Sequence, residues 1–331
     1  MEKIVARRYW WFLLSALIIV PGLYFLLLHP VITTGRFELG LRPSIDFSGG
    51  ALWDLQVRQP TKPLNTDEIA AVFRANGFQQ AQVQISQTEV DDVAVPTMLV
   101  RTESLSATDP NTQQNNVLNA LRAEYGDVTR ERLESVGATL SQESTRSAII
   151  AVIGASLAIM LYMVWAFREA PNPLRYGACS IISMFHDIVL MLGVAAIFGY
   201  FFAIEVDVLF VTALLTILAF SIHDKIVVFD RIRENLINRR AGETFDEIVN
   251  RSIVQTLPRS INTQLTPLFT LSALLLFGGA SLRNFVVVLL IGLVSGTYSS
   301  IFTAAQLLVV WEHREWRNWF GRGRAAEATT G

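Results

Sequence analysis

The chain has 331 residues, of which 51% are hydrophobic and only 17% charged, with a mean hydropathy of +0.38. A soluble domain carries about 25% charged residues, so this composition excludes disorder and a purely water-soluble enzyme and points to membrane spans. The 27 Lys and Arg against 29 Asp and Glu leave no basic footprint for nucleic acid. The single Cys179 lies in an apolar run, which excludes disulfides and cysteine-rich metal sites and reads as a small buried hydrophobe.

In chain order, Lys3, Arg7 and Arg8 precede a first uncharged stretch, Tyr9 to Leu28. It is too long for a signal peptide and has no A-x-A site before His29, so it reads as a retained membrane helix. The following insert, Val31 to Arg146, alternates element types between turn signals. Strands are predicted at Ala51 to Val57, Ala81 to Ser86, Thr97 to Thr102 and Val128 to Val136, and helices at Asp67 to Asn76 and Asn111 to Tyr125. The order strand, helix, strand, strand, helix, strand is the ferredoxin-like arrangement.

Five more apolar stretches follow, at Ile149 to Phe167, Gly177 to Phe202, Val208 to Phe229, Ile261 to Phe277 and Phe285 to Val310. Their lengths suit membrane helices. Arg168, Arg175, Arg231, Arg233, Arg239, Arg240, Arg251, Arg259, Arg314, Arg317, Arg322 and Arg324 fall on the same side as the basic N-terminus, and only Arg283 lies in the two short opposite loops. By the positive-inside rule both termini are cytoplasmic and the insert is exported. The expected organisation is a cytoplasmic N-terminus and first helix at 1–30, an extracytoplasmic domain at 31–146, a five-helix membrane region at 147–311 with a cytoplasmic loop at 230–259, and a cytoplasmic tail at 312–331. Within that loop, Thr244 and Glu247 form a T-x-x-E capping box ahead of Phe245, Ile248, Val249 and Ile253 at helical spacing. Its arginines read as a positive-inside anchor, with contact to acidic lipid headgroups or a partner as the alternative.

Ionisable groups inside a span cost several kcal/mol and are functional candidates by default. The third span holds His186 and Asp187, and the fourth holds His223, Asp224 and Lys225. Neighbours on a helix point about 100° apart, so neither group has metal-ligand spacing. Lys225 is expected to snorkel toward the cytoplasmic surface. Pro258 and Arg259 head the fifth span, where a proline frees a carbonyl and kinks a helix. From Arg259, Thr263, Thr266 and Thr270 follow at steps of four, three and four, so they share one face. Thr212, Thr216 and His223 share a face of the fourth span. An Arg heading a hydroxyl stripe beside a buried carboxylate suggests a water-accessible proton or cation relay, because a guanidinium that approaches or leaves Asp224 switches its proton occupancy. A static ion pair holding the helices in register is the alternative. Gly292, Gly296, Ser300 and Ala304, at steps of four, form a small-residue stripe for close helix contact. Gly49-Gly50 and Gly278-Gly279 read as turns at membrane borders, since no G-K-[ST] follows either pair.

These residues resemble a known family. Asp46-Phe47-Ser48-Gly49-Gly50 is similar to the D-F-x-G-G signature of the SecD/SecF protein-export membrane proteins. The run Ser221-Ile222-His223-Asp224-Lys225-Ile226-Val227-Val228-Phe229-Asp230-Arg231-Ile232-Arg233-Glu234-Asn235 resembles the most distinctive motif of the SecF members. Phe185-His186-Asp187, Gln255 to Thr263 and Phe277-Gly278-Gly279 are weaker matches. The resemblance covers nearly the whole chain. It implies half of an assembly similar to resistance-nodulation-division transporters, paired with SecD, associated with SecYEG, and drawing unfolded preprotein outward with the proton-motive force after SecA has acted. It implies a bacterial inner-membrane location, no cofactor, no metal and no hydrolytic activity, with Asp224 and Arg259 at the positions linked to proton conduction. His223, Asp187, Thr263 and Thr266 are secondary candidates. The sequence departs from the family at Lys225, where a small hydroxyl residue is usual, at His223, often Asn, and at Ala138, which replaces the proline of a V-G-P turn. The coupling ion, proton or sodium, stays open. A structural scaffold without ion coupling and an ion-coupled exporter of small solutes or lipids are the competing functions.

Overall fold

A computed structural model describes residues 4–90, 93–106, 109–168, 172–279 and 282–315, so the predicted basic positions Lys3, Arg317, Arg322 and Arg324 lie outside the described residues. The described residues divide into two compact units, one within residues 43–149 and the other within residues 1–42 and 150–331.

The smaller unit is a ferredoxin-like α+β domain. After a helical turn at Ile45–Ser48 come β1 (Gly50–Pro60), α2 (Thr66–Ala75), β2 (Gln82–Val90), β3 (Val93–Thr102), α3 (Pro110–Tyr125) and β4 (Gly126–Val136). All neighbours in the sheet order β2-β3-β1-β4 are antiparallel. Alternation along β1 directs Ala51, Trp53, Leu55 and Val57 onto Phe73, Met98, Val100, Leu121 and Val128, the domain core. Asn65 caps α2 by accepting from the backbone N–H of Asp67 at 2.9 Å, and Asp109 caps α3 through Thr112 N at 3.1 Å. Gly50 has φ 117° and faces the Thr102 carbonyl, so a side chain there would be strained and would clash. The sequence places all six elements correctly and shortens the β2 and β3 strands, whose outer residues lack a clear apolar alternation.

The larger unit contributes helices long and apolar enough to cross a membrane. With the α4 helix, which starts in the smaller unit, there are six among the described residues: α1 (Val5–Thr34), α4 (Ala138–Ala166), α5 (Pro173–Phe202), α6 (Val208–Ile237), α7 (Phe245–Phe277) and α8 (Arg283–Glu312). The chain is a multi-pass membrane protein. The segment between the fourth and fifth predicted spans belongs to the ends of α6 and α7, which extend past the apolar stretches and are separated by a turn at Gly242. The capping box opens α7: Thr244 N donates to Glu247 at 2.8 Å and Glu247 N donates to Thr244 Oγ1 at 3.3 Å. The α7 helix runs unbroken through Pro258 and Pro267.

Helices α5, α6 and α8 form the centre of the larger unit. On α6 the buried residues Phe210, Ala213, Leu214, Ile217, Leu218, Ser221, Asp224, Lys225, Val228 and Ile232 recur at three- and four-residue steps, so one stripe faces the protein. The small residues of α8 act as expected: Gly292 lies against Ile217 and Gly296 against Ser221, which lets α6 and α8 approach closely. Gly22 of α1 and Gly193 of α5 meet backbone to backbone, and a Cβ on either would fall 2.8 Å from the other's Cα.

Candidate functional site

The buried stripe of α6 carries Ser221, Asp224 and Lys225 into two adjoining polar clusters, one against α5 and one against α7. Cβ atoms three and four residues apart share a helix face, so Ser221 and Lys225 point together toward α5. There Asp187 Oδ2 accepts from Ser221 Oγ at 2.6 Å and from Lys225 Nζ at 2.7 Å. The carboxylate and the ammonium are both essentially inaccessible, at 1% and 0% side-chain exposure. His186 Nδ1 meets Asp187 Oδ1 at 3.1 Å, and its Nε2 is hydrogen-bonded to Ser15 Oγ on α1. Ser299, at a π-helical turn of α8, completes the cluster 3.4 Å from Ser221 Oγ. Lys225 therefore does not snorkel. A buried carboxylate within reach holds the ammonium more strongly than the distant surface does, because attraction across a low-dielectric interior is unscreened.

Asp224 turns the other way, toward α7, where its Oδ2 accepts from Gln264 Nε2 at 2.9 Å. Gln264 shares the buried face of α7 with Ser252, Ile253, Thr256 and Ser260. Arg259 and Asp224 sense each other's charge across space, but no ion pair joins them among the described residues. The guanidinium is exposed and lines a cavity of about 380 Å³ with Asp230, Glu234, Gln255 and Thr256. Thr263, Thr266 and Thr270 are exposed as well, each hydroxyl donating to the carbonyl four residues earlier. Thr212 and Thr216 do the same on α6, and His223 faces outward beside them. The structure thus brings Asp224 and Asp187 into the interior, each with a partner the sequence had not supplied, and leaves Arg259, His223, Thr263 and Thr266 on the outer face of the same helix pair.

Gln264 is the residue that a scan for charges misses. Its signal was its position: it lies on the 256, 260, 264 row of α7, opposite the row that carries Thr263, Thr266 and Thr270. Among the described residues no group of His, Cys, Asp and Glu is arranged to hold a metal ion.

Residues 116–314 match the model of the family described as protein export membrane protein SecD/SecF, C-terminal. The chain belongs to the SecD/SecF protein-export family. It is 43% identical to the protein translocase subunit SecF of Thermobaculum terrenum, with 100% of each chain covered. It is 42% identical to the subunit of the same name from Anaerolinea thermophila, with 98% of each covered. Among solved structures, the crystal structure of the translocon-associated membrane protein SecDF from Thermus thermophilus superposes with a TM-score of 0.74 at 29% identity. The match covers 95% of this chain and 39% of that one, so the chain spans well under half of the SecDF polypeptide. Within this family the chain is an auxiliary subunit of the Sec protein translocase.

Proposed function

We propose that this chain is the SecF half of a SecD–SecF assembly in the bacterial inner membrane, with both termini cytoplasmic and the sheet domain exported. There it uses the proton-motive force to promote the passage of unfolded preprotein through SecYEG after SecA has acted. Asp224 is the proton carrier. The observation that carries this reading is a carboxylate buried within a membrane helix whose one hydrogen-bond partner among the described residues is a neutral carboxamide, Gln264. A structural carboxylate would be expected to have an ion-pair partner in contact, as Asp187 has in Lys225. With no such partner among the described residues, Asp224 is the carboxylate placed to take up and release a proton, and Arg259 and His223 lie on the outer face of the same two helices.

Arg259, His223, Thr212, Thr216, Thr263, Thr266 and Thr270 form a polar face on α6 and α7. A polar face at membrane depth belongs against protein or water rather than lipid. The fused SecDF relatives, of which this chain matches 35% in the Thermus thermophilus sequence, suggest its cover: the helices of SecD. The relay then closes only in the assembly, with Arg259, Thr263 and Thr266 lining the water-accessible side and Asp224 the protein side. Each charge that crosses a 100 mV potential releases about 2.3 kcal/mol, enough to bias a two-state element about fiftyfold.

The test is export of a preprotein into membrane vesicles, with and without a proton gradient, using Asp224→Asn and Arg259→Met assemblies that are matched for expression. Both are expected to lose the gradient stimulation and keep the ATP-driven export. Retention of the stimulation by both variants would return the chain to the scaffold reading.

A further inference from the structure

Gln264 is 8% exposed, and its two polar ends are treated differently. Nε2 donates to Asp224 Oδ2 at 2.9 Å, while Oε1 is buried with no hydrogen-bond partner among the described residues. Buried carboxamides ordinarily satisfy both ends. Here the unsatisfied end is an acceptor next to a carboxylate, which has no proton to offer until it is protonated. Oxygen and NH2 of the carboxamide are nearly the same size, so a half-turn about the terminal bond exchanges them without new packing. The same side chain lines a cavity of about 430 Å³ between α7 and α8, walled by Leu257, Leu268, Leu293, Thr297 and Tyr298, which leaves room for that rotation.

We propose that Gln264 is a positioning residue that turns over with the proton on Asp224, donating from Nε2 to the carboxylate and accepting at Oε1 from the protonated acid. This rests on the proton-carrying role given to Asp224 above. A proton arriving from the aqueous side binds Oδ2, the N–H···O bond becomes O–H···O, and the reverse occurs on release. No other bond changes. The acid and the carboxylate each keep one hydrogen bond to α7, and only the end of the carboxamide that faces Asp224 changes, so the helix pair stays closed around the proton. The other charged and titratable groups around the site do not take Gln264's place. Lys225 is held by Asp187, and His186 is held by Asp187 and Ser15. His223 and Arg259 are exposed, and among the described residues neither makes a hydrogen bond or ion pair to Asp224. Tyr298 lies across the cavity with its hydroxyl donating to the Trp11 carbonyl.

The experiment is an infrared titration of the full assembly reconstituted with its SecD partner in lipid, with ¹³C at the glutamine carboxamide carbons. One carboxyl band, absent in Asp224→Asn, and one labelled carboxamide band are expected to change together with a single midpoint. The carboxamide change is expected to vanish in both Asp224→Asn and Gln264→Met. The carboxyl band of Gln264→Met should move to the frequency of a free acid, and its gradient-driven transport should fall at least tenfold, the usual effect of losing one hydrogen bond to a charged group. If the Asp224 band titrates while every carboxamide band stays still, the turnover of Gln264 is overturned and the proton-carrier role stands. If no Asp224 band titrates at all, both are overturned. The labelled wild-type assembly decides this even where Gln264→Met does not fold.

Discussion

Removing Lys225 tests the interior electrostatics most severely. Its ammonium lies 2.7 Å from Asp187 Oδ2 with both side chains excluded from solvent. At that separation the attraction is about 6 kcal/mol for an effective dielectric constant near 20. Desolvation of both ions offsets much of this, so the pair adds little net stability over an apolar pair, whereas losing one member leaves the other uncompensated at a cost of about 3–5 kcal/mol. Lys225→Met is therefore expected to destabilise the chain by that amount, with Ser221 and His186 left as the neighbours of a buried carboxylate. Removing both charges in Asp187→Leu/Lys225→Met should restore at least half of the loss. The assay is unfolding in mixed micelles by titration with SDS, followed by tryptophan fluorescence. A single variant within about 1 kcal/mol of wild type, on the scale of an exposed pair, would show that Lys225 is solvated and refute the pairing.

Other consequences follow from the packing and the caps. Gly193→Val is expected to prevent the backbone contact with Gly22 and to cost about 1–3 kcal/mol or more in the same SDS titration, as overpacked sites do. Thr244→Ala removes the cap of α7 and should cost about 1 kcal/mol, visible as faster amide hydrogen exchange over the first turn from Phe245. In the sheet domain Lys62 donates to Glu68 at 2.7 Å and holds its carboxyl below the usual glutamate range. A lowered folded value means that Glu68 adds stability above the ordinary glutamate value, and that this is lost as pH falls through the lowered one. In Lys62→Met the Glu68 carboxyl, followed by ¹³C NMR, should titrate higher, near the ordinary value.

The apolar periods made most of the fold legible. The ladder Trp53, Leu55, Val57 marks a one-sided strand, and Thr244 with Glu247 marks where α7 restarts. Asp187 and Asp224 stood out because charge within an apolar run is costly whatever surrounds it. Their partners did not stand out, because pairing across helices depends on rotation about each axis. Lys225 follows Asp224 directly, yet about 100° of rotation sends one side chain to α5 and the other to α7. The hydroxyl stripe of α7 occupies one face, whose direction is set by the apolar and small residues at 249, 252, 253, 256 and 260, which claim the interior. Gln264 carries no charge and so gave no electrostatic signal, although its row on α7 is the one that meets Asp224.

Proton flux itself tests the central claim most directly. In vesicles containing the reconstituted assembly and an unfolded preprotein, with an imposed pH gradient, the wild-type assembly and Asp224→Glu should collapse the gradient. Asp224→Asn, which keeps the shape and loses the proton site, should leave the gradient standing. Flux through Asp224→Asn equal to that of wild type would show that the proton passes elsewhere and contradict the assignment.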